Sequence, residues 1–183
     1  AIKIHTTQEQ LTEYMRYLEK QSLTDDMTGL ANRDAYLKRI KEINHNIEKG
    51  KASFSVVVFD INGLKYTNDN FGYECGDQMI IDLAEQVSKV FDKEQVYRFG
   101  GDEFIAVTDS MDEDDINDRL LRLSKAVARL NQDGRECNIA LSFSHGYAIY
   151  IPGEDSSYKE VFKRADMAMY KNKGEYYDEK RLL

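Results

Sequence analysis

Residues 54–60 read FSVVVFD, a run so apolar and β-branched that a strand made from it has no face to offer water. Such a strand must lie inside a sheet covered on both sides, so the rest of the chain has to supply the cover. Tyr36, Ile40, Ile43 and Ile47 recur every three or four residues, one apolar stripe on a helix over 32–47 that Gly50 ends. A polar, glycine-dotted stretch over 61–75 reads as a loop. Ile80, Leu83, Ala84, Val87 and Phe91 then share one side of a helix over 76–91. Residues 96–107, VYRFGGDEFIAV, read as two short strands with Gly100 and Gly101 at the turn. Ile116, Leu120, Leu123, Val127 and Leu130 mark a further helix, and the acids at 112–115 suit its N-terminus through the macrodipole. Residues 138–150 alternate: Ile139, Leu141, Phe143, Tyr147 and Ile149 point one way, while Ala140, Ser142, Ser144, Gly146 and Ala148 point the other. The small face predicts a helix lying close upon it, and a last helix follows over 158–171. The order helix, strand, helix, hairpin, helix, strand, helix implies an α+β fold, with helices flanking a mostly antiparallel sheet.

The hairpin raises the chemical question. Asp102 and Glu103 stand at its tip, and Asp60 ends the buried strand. If the two segments are neighbours, three carboxylates meet at one rim of the sheet and repel one another unless a cation intervenes. Hard oxygen donors of this kind suit magnesium, which takes one or two carboxylates together with substrate phosphates. A solvated turn and a loop-capping aspartate account for the same residues, so chemistry alone leaves both readings open.

A net charge of −8 disfavours nucleic acid and membrane surfaces as partners, since both are polyanions. His5, His45 and His145 are scattered, which argues against a histidine-based zinc site. No apolar run is long enough to span a bilayer, and no secretory signal pattern is present. Cys75 and Cys137 lie far apart in sequence and are expected to be reduced thiols in a cytoplasmic setting, including the cytosolic part of a membrane-bound sensor. Leu11, Tyr14, Met15 and Leu18 fall at helical spacing near the start. They fit either a helix packed on its own domain or the end of a signalling linker, and a domain boundary is expected between residues 1–21 and 22–183.

The string RFGGDEF at 98–104 resembles the signature of the GGDEF domain, the catalytic unit of diguanylate cyclases. The resemblance extends in order through LTDDMTGLANR (23–33), FDINGLKYTNDNFGYECGD (59–77), SFSHG (142–146) and ADMAMYKNK (165–173). It implies a five-stranded central sheet like that of nucleotidyl cyclases and polymerase palms. It further implies that two GTP become cyclic di-GMP and two pyrophosphates, in a homodimer holding one GTP per subunit, with Mg2+ or Mn2+ and an upstream sensory module. By the same resemblance the metal ligands would be Asp60, the carbonyl of Ile61, Asp102 and Glu103. Asp102 and Glu103 would be catalytic, Asp102 helping to deprotonate the 3′-hydroxyl. Asn68 and Asp77 would read guanine, Leu64 and Tyr73 would line the base and ribose region, and Lys65 and Lys173 would face the phosphates. Gly100 and Gly101 would let the backbone approach the nucleotide. Arg98 is expected to be structural, paired to a nearby acid.

The chain departs from the family pattern in several places. Asn62 stands where the second acid of D-x-D is usual, Leu64 replaces phenylalanine and Tyr73 replaces histidine. After Lys173 the usual Gly-Arg-Asn gives way to GEYYDEK. The product-inhibition pattern R-x-x-D is replaced by FDKE at 91–94, so no feedback binding of cyclic di-GMP is expected there. These departures keep two alternatives in view: a GTP-binding module with weak or no turnover, and a mixed cyclic GMP-AMP product, against which Asp77 counts.

Overall fold

A computed structural model describes residues 8–15, 23–109, 111–135 and 137–181. Helix α1 covers 8–15, with Leu11, Tyr14 and Met15 exposed; Leu18 and most of the 1–21 segment lie outside the described residues. The domain then runs α2 (Arg33–Glu48), β1 (Phe54–Ile61), α3 (Leu64–Phe71), α4 (Tyr73–Val90), a 3-10 turn (Lys93–Gln95), β2 (Val96–Gly100), β3 (Glu103–Asp109), α5 (Glu113–Asp133), β4 (Phe143–Ile149) and α6 (Tyr158–Arg181).

The sheet order is β2-β3-β1-β4 and every pairing is antiparallel. As the sequence demanded, β1 is central and buried along its whole length. Its side chains alternate between two cores. Val57, Phe59 and Ile61 pack with Leu83, Val87 and Leu123 of α4 and α5. Phe54, Val56 and Val58 pack with Ile43 of α2 and with Val161, Ala165 and Met169 of α6. Asp60 continues the second series and so lies on the α6 side of the sheet.

The expected five strands are four among the described residues. Two local reasons account for this. Ala31 bridges Tyr97 beside β2, but the next residue, Asn32, turns to cap α2 by accepting from the backbone N–H groups of Asp34 and Ala35, so the pairing stops after one bridge. At the other end, α6 does not stop near Lys171 but continues to Arg181. Gly174 sits within the helix without breaking it, and no proline follows.

Three further expectations need correction. The stretch over 61–75 is not a loop: it holds α3 and the start of α4, broken only at Gly72, whose φ of 90° suits a residue without a side chain. Poor helix formers such as Asn68 and Asn70 are carried there by Leu64 and Thr67, which bury against the fold. The last strand begins at Phe143 rather than near Asn138. Asn131 of α5 donates to the carbonyl of Leu141 at 2.9 Å and accepts from its N–H at 2.8 Å, so a side-chain amide satisfies the backbone where a strand neighbour would. Cys75 and Cys137, expected to be separate thiols, form a disulfide. Sequence separation concealed that the start of α4 and the turn after α5 meet, with their Cα atoms 5.6 Å apart. Arg135 reinforces the junction by donating from Nε to buried Asp82 at 2.7 Å.

Other expectations held. Asp112 caps α5, so the acids at 112–115 form a helix start. The small face of β4 is the buried one, and α6 lies directly on it at Gly146. No helix among the described residues is long and apolar enough to cross a membrane.

Candidate active site

The rim where the hairpin turn meets the end of β1 is set by register. Asp60 lies directly opposite Glu103 in the β1–β3 ladder and opposite Ser144 in the β1–β4 ladder. Directly opposed residues point to the same face, so Asp60, Glu103 and Ser144 share the α6 side. The turn itself is Gly101-Asp102. Gly101 has φ of 47° and Gly100 does not take a positive φ; at both, the space a side chain would enter is open. The N–H of Ile61 donates to the carbonyl of Asp102 at 3.2 Å, which ties the turn to the end of β1. Ile61 itself points its side chain into the core.

This clustering costs electrostatic energy. Burial pushes the Glu103 carboxyl above its ordinary value, and the charges of Asp102 and Asp60 push it further. Burial also raises Asp60, with Asp102 adding to it, and the hydrogen bond from Lys173 does not fully offset the effect. Lys173 reaches down from α6 and donates from Nζ to Asp60 Oδ1 at 2.5 Å. Burial opposes its charge, but the bond to Asp60 outweighs that and holds the ammonium above its ordinary value. A lysine thus supplies the positive charge the rim requires.

The donor set suits a hard divalent cation as a partial shell. Among the described residues no three of His, Cys, Asp and Glu converge tightly enough to enclose one by themselves. Asp60 and Glu103, with backbone carbonyls, would instead provide one side, leaving phosphate oxygens and water to complete the other, as magnesium sites commonly do.

Asn62, which departs from the family pattern, is buried in a different role. Its amide donates to Ser142 Oγ at 3.1 Å and accepts from Ser144 Oγ at 2.7 Å. A carboxylate there could not donate to Ser142, so the amide suits this chain's two serines. Those serines also border a cavity of about 400 Å³ between α5, β4 and α6.

Elsewhere, α3 and α4 bring Asn68 next to Gly76, the residue before Asp77. A side-chain carbon at Gly76 would fall 1.8 Å from Asn68 Oδ1, so only glycine permits the approach. Asn68 Oδ1 is buried without a hydrogen-bond partner, an acceptor in need of a donor. Asp77 is exposed within α4 rather than capping it. Leu64 is buried at the base of this corner, Tyr73 is 75% exposed, and Lys65 is exposed on α3.

Arg98 pairs with an acid as expected, and the acid is Asp25, at 3.1 Å and 3.3 Å. The same guanidinium donates from Nη2 to the carbonyl of Gly101 at 3.1 Å. Asp25 also accepts from Thr28 N–H and Oγ1. Arg98 therefore fastens the β2–β3 turn to the segment before α2. Sequence reasoning gave Asp25 no role. The Asp-x-x-Thr spacing of a side chain folding back on its own turn was the available signal. It also missed Tyr177, whose hydroxyl accepts from the N–H of Gly63 at 3.2 Å.

Comparison with known proteins identifies the family. The sequence profile described as "Diguanylate cyclase, GGDEF domain" matches residues 22–178. The chain is 30% identical over 156 residues to the bifunctional diguanylate cyclase/cyclic di-GMP phosphodiesterase MucR of Pseudomonas aeruginosa, covering 85% of this chain and 22% of that protein. It is 29% identical over 170 residues to the probable diguanylate cyclase DgcC of Escherichia coli, covering 92% and 45%. The chain thus spans less than half the length of both relatives. Among solved structures, the coiled coil and GGDEF domain of DgcB from Caulobacter crescentus, in complex with c-di-GMP, superposes with a TM-score of 0.76 at 26% identity, over 92% of this chain and 90% of that one.

Proposed function

The chain belongs to the GGDEF family of diguanylate cyclase domains, and from that premise we propose that it condenses two GTP into cyclic di-GMP and two pyrophosphates, with two copies facing each other and one GTP held by each. The observation that carries the proposal is the register placing Asp60 opposite Glu103, with Asp102 in the adjoining turn. Asp60, Glu103 and the carbonyl of Ile61 would hold Mg2+ or Mn2+, which neutralises the triphosphate and polarises the α-phosphate. Asn68, with its unpaired Oδ1, accepts from a guanine N–H, and Asp77 accepts from another. Leu64 and Tyr73 flank the base. Lys65 and Lys173 face the phosphates. Gly100 and Gly101 leave room for the nucleotide to approach the backbone. Asp102, on the turn, takes the proton of the 3′-hydroxyl as that oxygen attacks the α-phosphate held by the facing copy, and pyrophosphate leaves. The rate gain comes from placing the two nucleotides and from compensating charge.

A location in the cytoplasm and an upstream sensory module belong to the same proposal. The test is incubation with GTP and Mg2+ at high protein concentration, followed by separation of cyclic di-GMP. Glu103→Gln, which keeps the shape and removes one charge from the rim, should lower turnover by at least about a hundredfold while leaving the chain folded. Undiminished product from that variant would remove Glu103 from the mechanism. A second reading, a module that holds GTP without turnover, draws on Asn62 and on the seating of Lys173 against Asp60. Tight GTP binding with no product at any concentration would select it.

A further inference from the structure

The last turns of α6 do something the rest of the site does not require. Lys173 and Tyr177 are one helical turn apart, so they project from the same face of α6. Lys173 reaches the end of β1, and Tyr177 reaches the turn that joins β1 to α3. Lys173 seats its ammonium on Asp60 Oδ1 at 2.5 Å, and Tyr177 accepts the N–H of Gly63 at 3.2 Å. The two contacts bracket residues 60–63, beside which the nucleotide reading puts the triphosphate. Gly63 has φ of 74° and open space where a side chain would be, and its N–H donates to the phenol of Tyr177.

We propose that the end of α6, residues 174–181, is an autoinhibitory strap: Lys173 and Tyr177 hold it across the phosphate side of the site, and metal-bound nucleotide must lift it to bind. The proposal rests on the nucleotide reading above. A divalent cation approaching Asp60 repels the ammonium already there. A phosphate oxygen approaching Gly63 competes with the phenol for one N–H donor. Loosening the helix end removes both obstacles together, because the last turns of α6 carry both side chains. Lys173, freed from Asp60, is then available to the phosphates.

Tyr177→Phe removes the hydroxyl and keeps the ring, and Tyr177 has no place in the catalytic machinery. The full chain and this variant are titrated, in Mg2+, with a GTP analogue whose α–β bridging oxygen is replaced by methylene. Hydrogen exchange across 174–181 is followed in both, with and without the analogue. The strap predicts that the variant binds about three- to tenfold more tightly, the range expected when a single neutral hydrogen bond no longer has to be broken. It also predicts faster exchange of 174–181 in the free variant, and an acceleration of the same segment when the parent binds the analogue. Equal affinity in the two chains overturns the strap and leaves the nucleotide reading intact. Weaker binding by the variant overturns it in favour of a phenol that contacts the phosphates. Absence of binding by both chains defeats the nucleotide reading, and the strap falls with it.

Discussion

Replacing Gly146 with alanine tests whether α6 really lies on β4. A side-chain carbon at this position would sit 2.0 Å from the backbone nitrogen of Met169, 2.4 Å from the carbonyl oxygen of Ala165 and 2.6 Å from the carbonyl carbon of Ala168. Non-bonded heavy atoms settle near about 3.5 Å, so α6 must retreat by roughly 1.5 Å. All three obstacles are helix backbone, which has no rotamer to turn aside. The surfaces being separated carry Val161, Ala165 and Met169 on the helix and Val56, Val58 and Ala148 on the sheet. Overpacking against adjustable side chains costs about 1–3 kcal/mol, and this case belongs at or above the upper end, about 3 kcal/mol. Set against a total of about 5–15 kcal/mol, that is a large fraction. The melting temperature should fall by roughly 10 °C for a chain of this size. Urea unfolding followed by circular dichroism should show a lower midpoint with an unchanged slope. Because α6 also carries Lys173, the same retreat withdraws the ammonium from Asp60. Gly174→Ala is the control: it lies in the same helix with open space around it, and should be neutral or up to about 1 kcal/mol stabilising. If Gly146→Ala matched its parent within about 0.5 kcal/mol, the close approach of helix and strand would be wrong, and with it the placement of Lys173.

Reducing the Cys75–Cys137 bond should also lower stability. It closes a loop with a sequence separation of 62, for which chain entropy gives about 4 kcal/mol. Thiol titration confirms the reduction, and an unchanged urea midpoint in dithiothreitol would contradict the expectation. Asp25 makes stability depend on pH. Burial works to raise its carboxyl, but the hydrogen bonds from Thr28 and Arg98 outweigh that and hold it below the ordinary value. The unfolded chain therefore binds the proton first as pH falls. The contribution is fully present above about pH 4 and disappears as pH drops through the depressed native value. Asp25→Asn should flatten the stability profile below about pH 4, and an identical slope in the variant would refute the assignment.

The amino-acid order alone determined the local pieces with few errors. An unbroken apolar run must become a covered strand, and alternation over 138–150 predicts a strand with two unlike faces, of which 143–149 forms. Side-chain period is a property of the backbone, so it is legible in one dimension. The string at 98–104 likewise announced the turn and its acids. What only the tertiary structure decided was who meets whom. Register, not sequence, placed Asp60 opposite Glu103 and put both under α6. Packing turned a polar stretch into α3, because Leu64 and Thr67 had a surface to bury against. Folding brought Cys75 to Cys137, and it carried Lys173 onto the end of β1 and Tyr177 onto the β1–α3 turn from more than a hundred residues away. Periodicity records which face a residue shares with its near neighbours. Distance through space depends on how every layer stacks, and no stretch of chain contains that by itself.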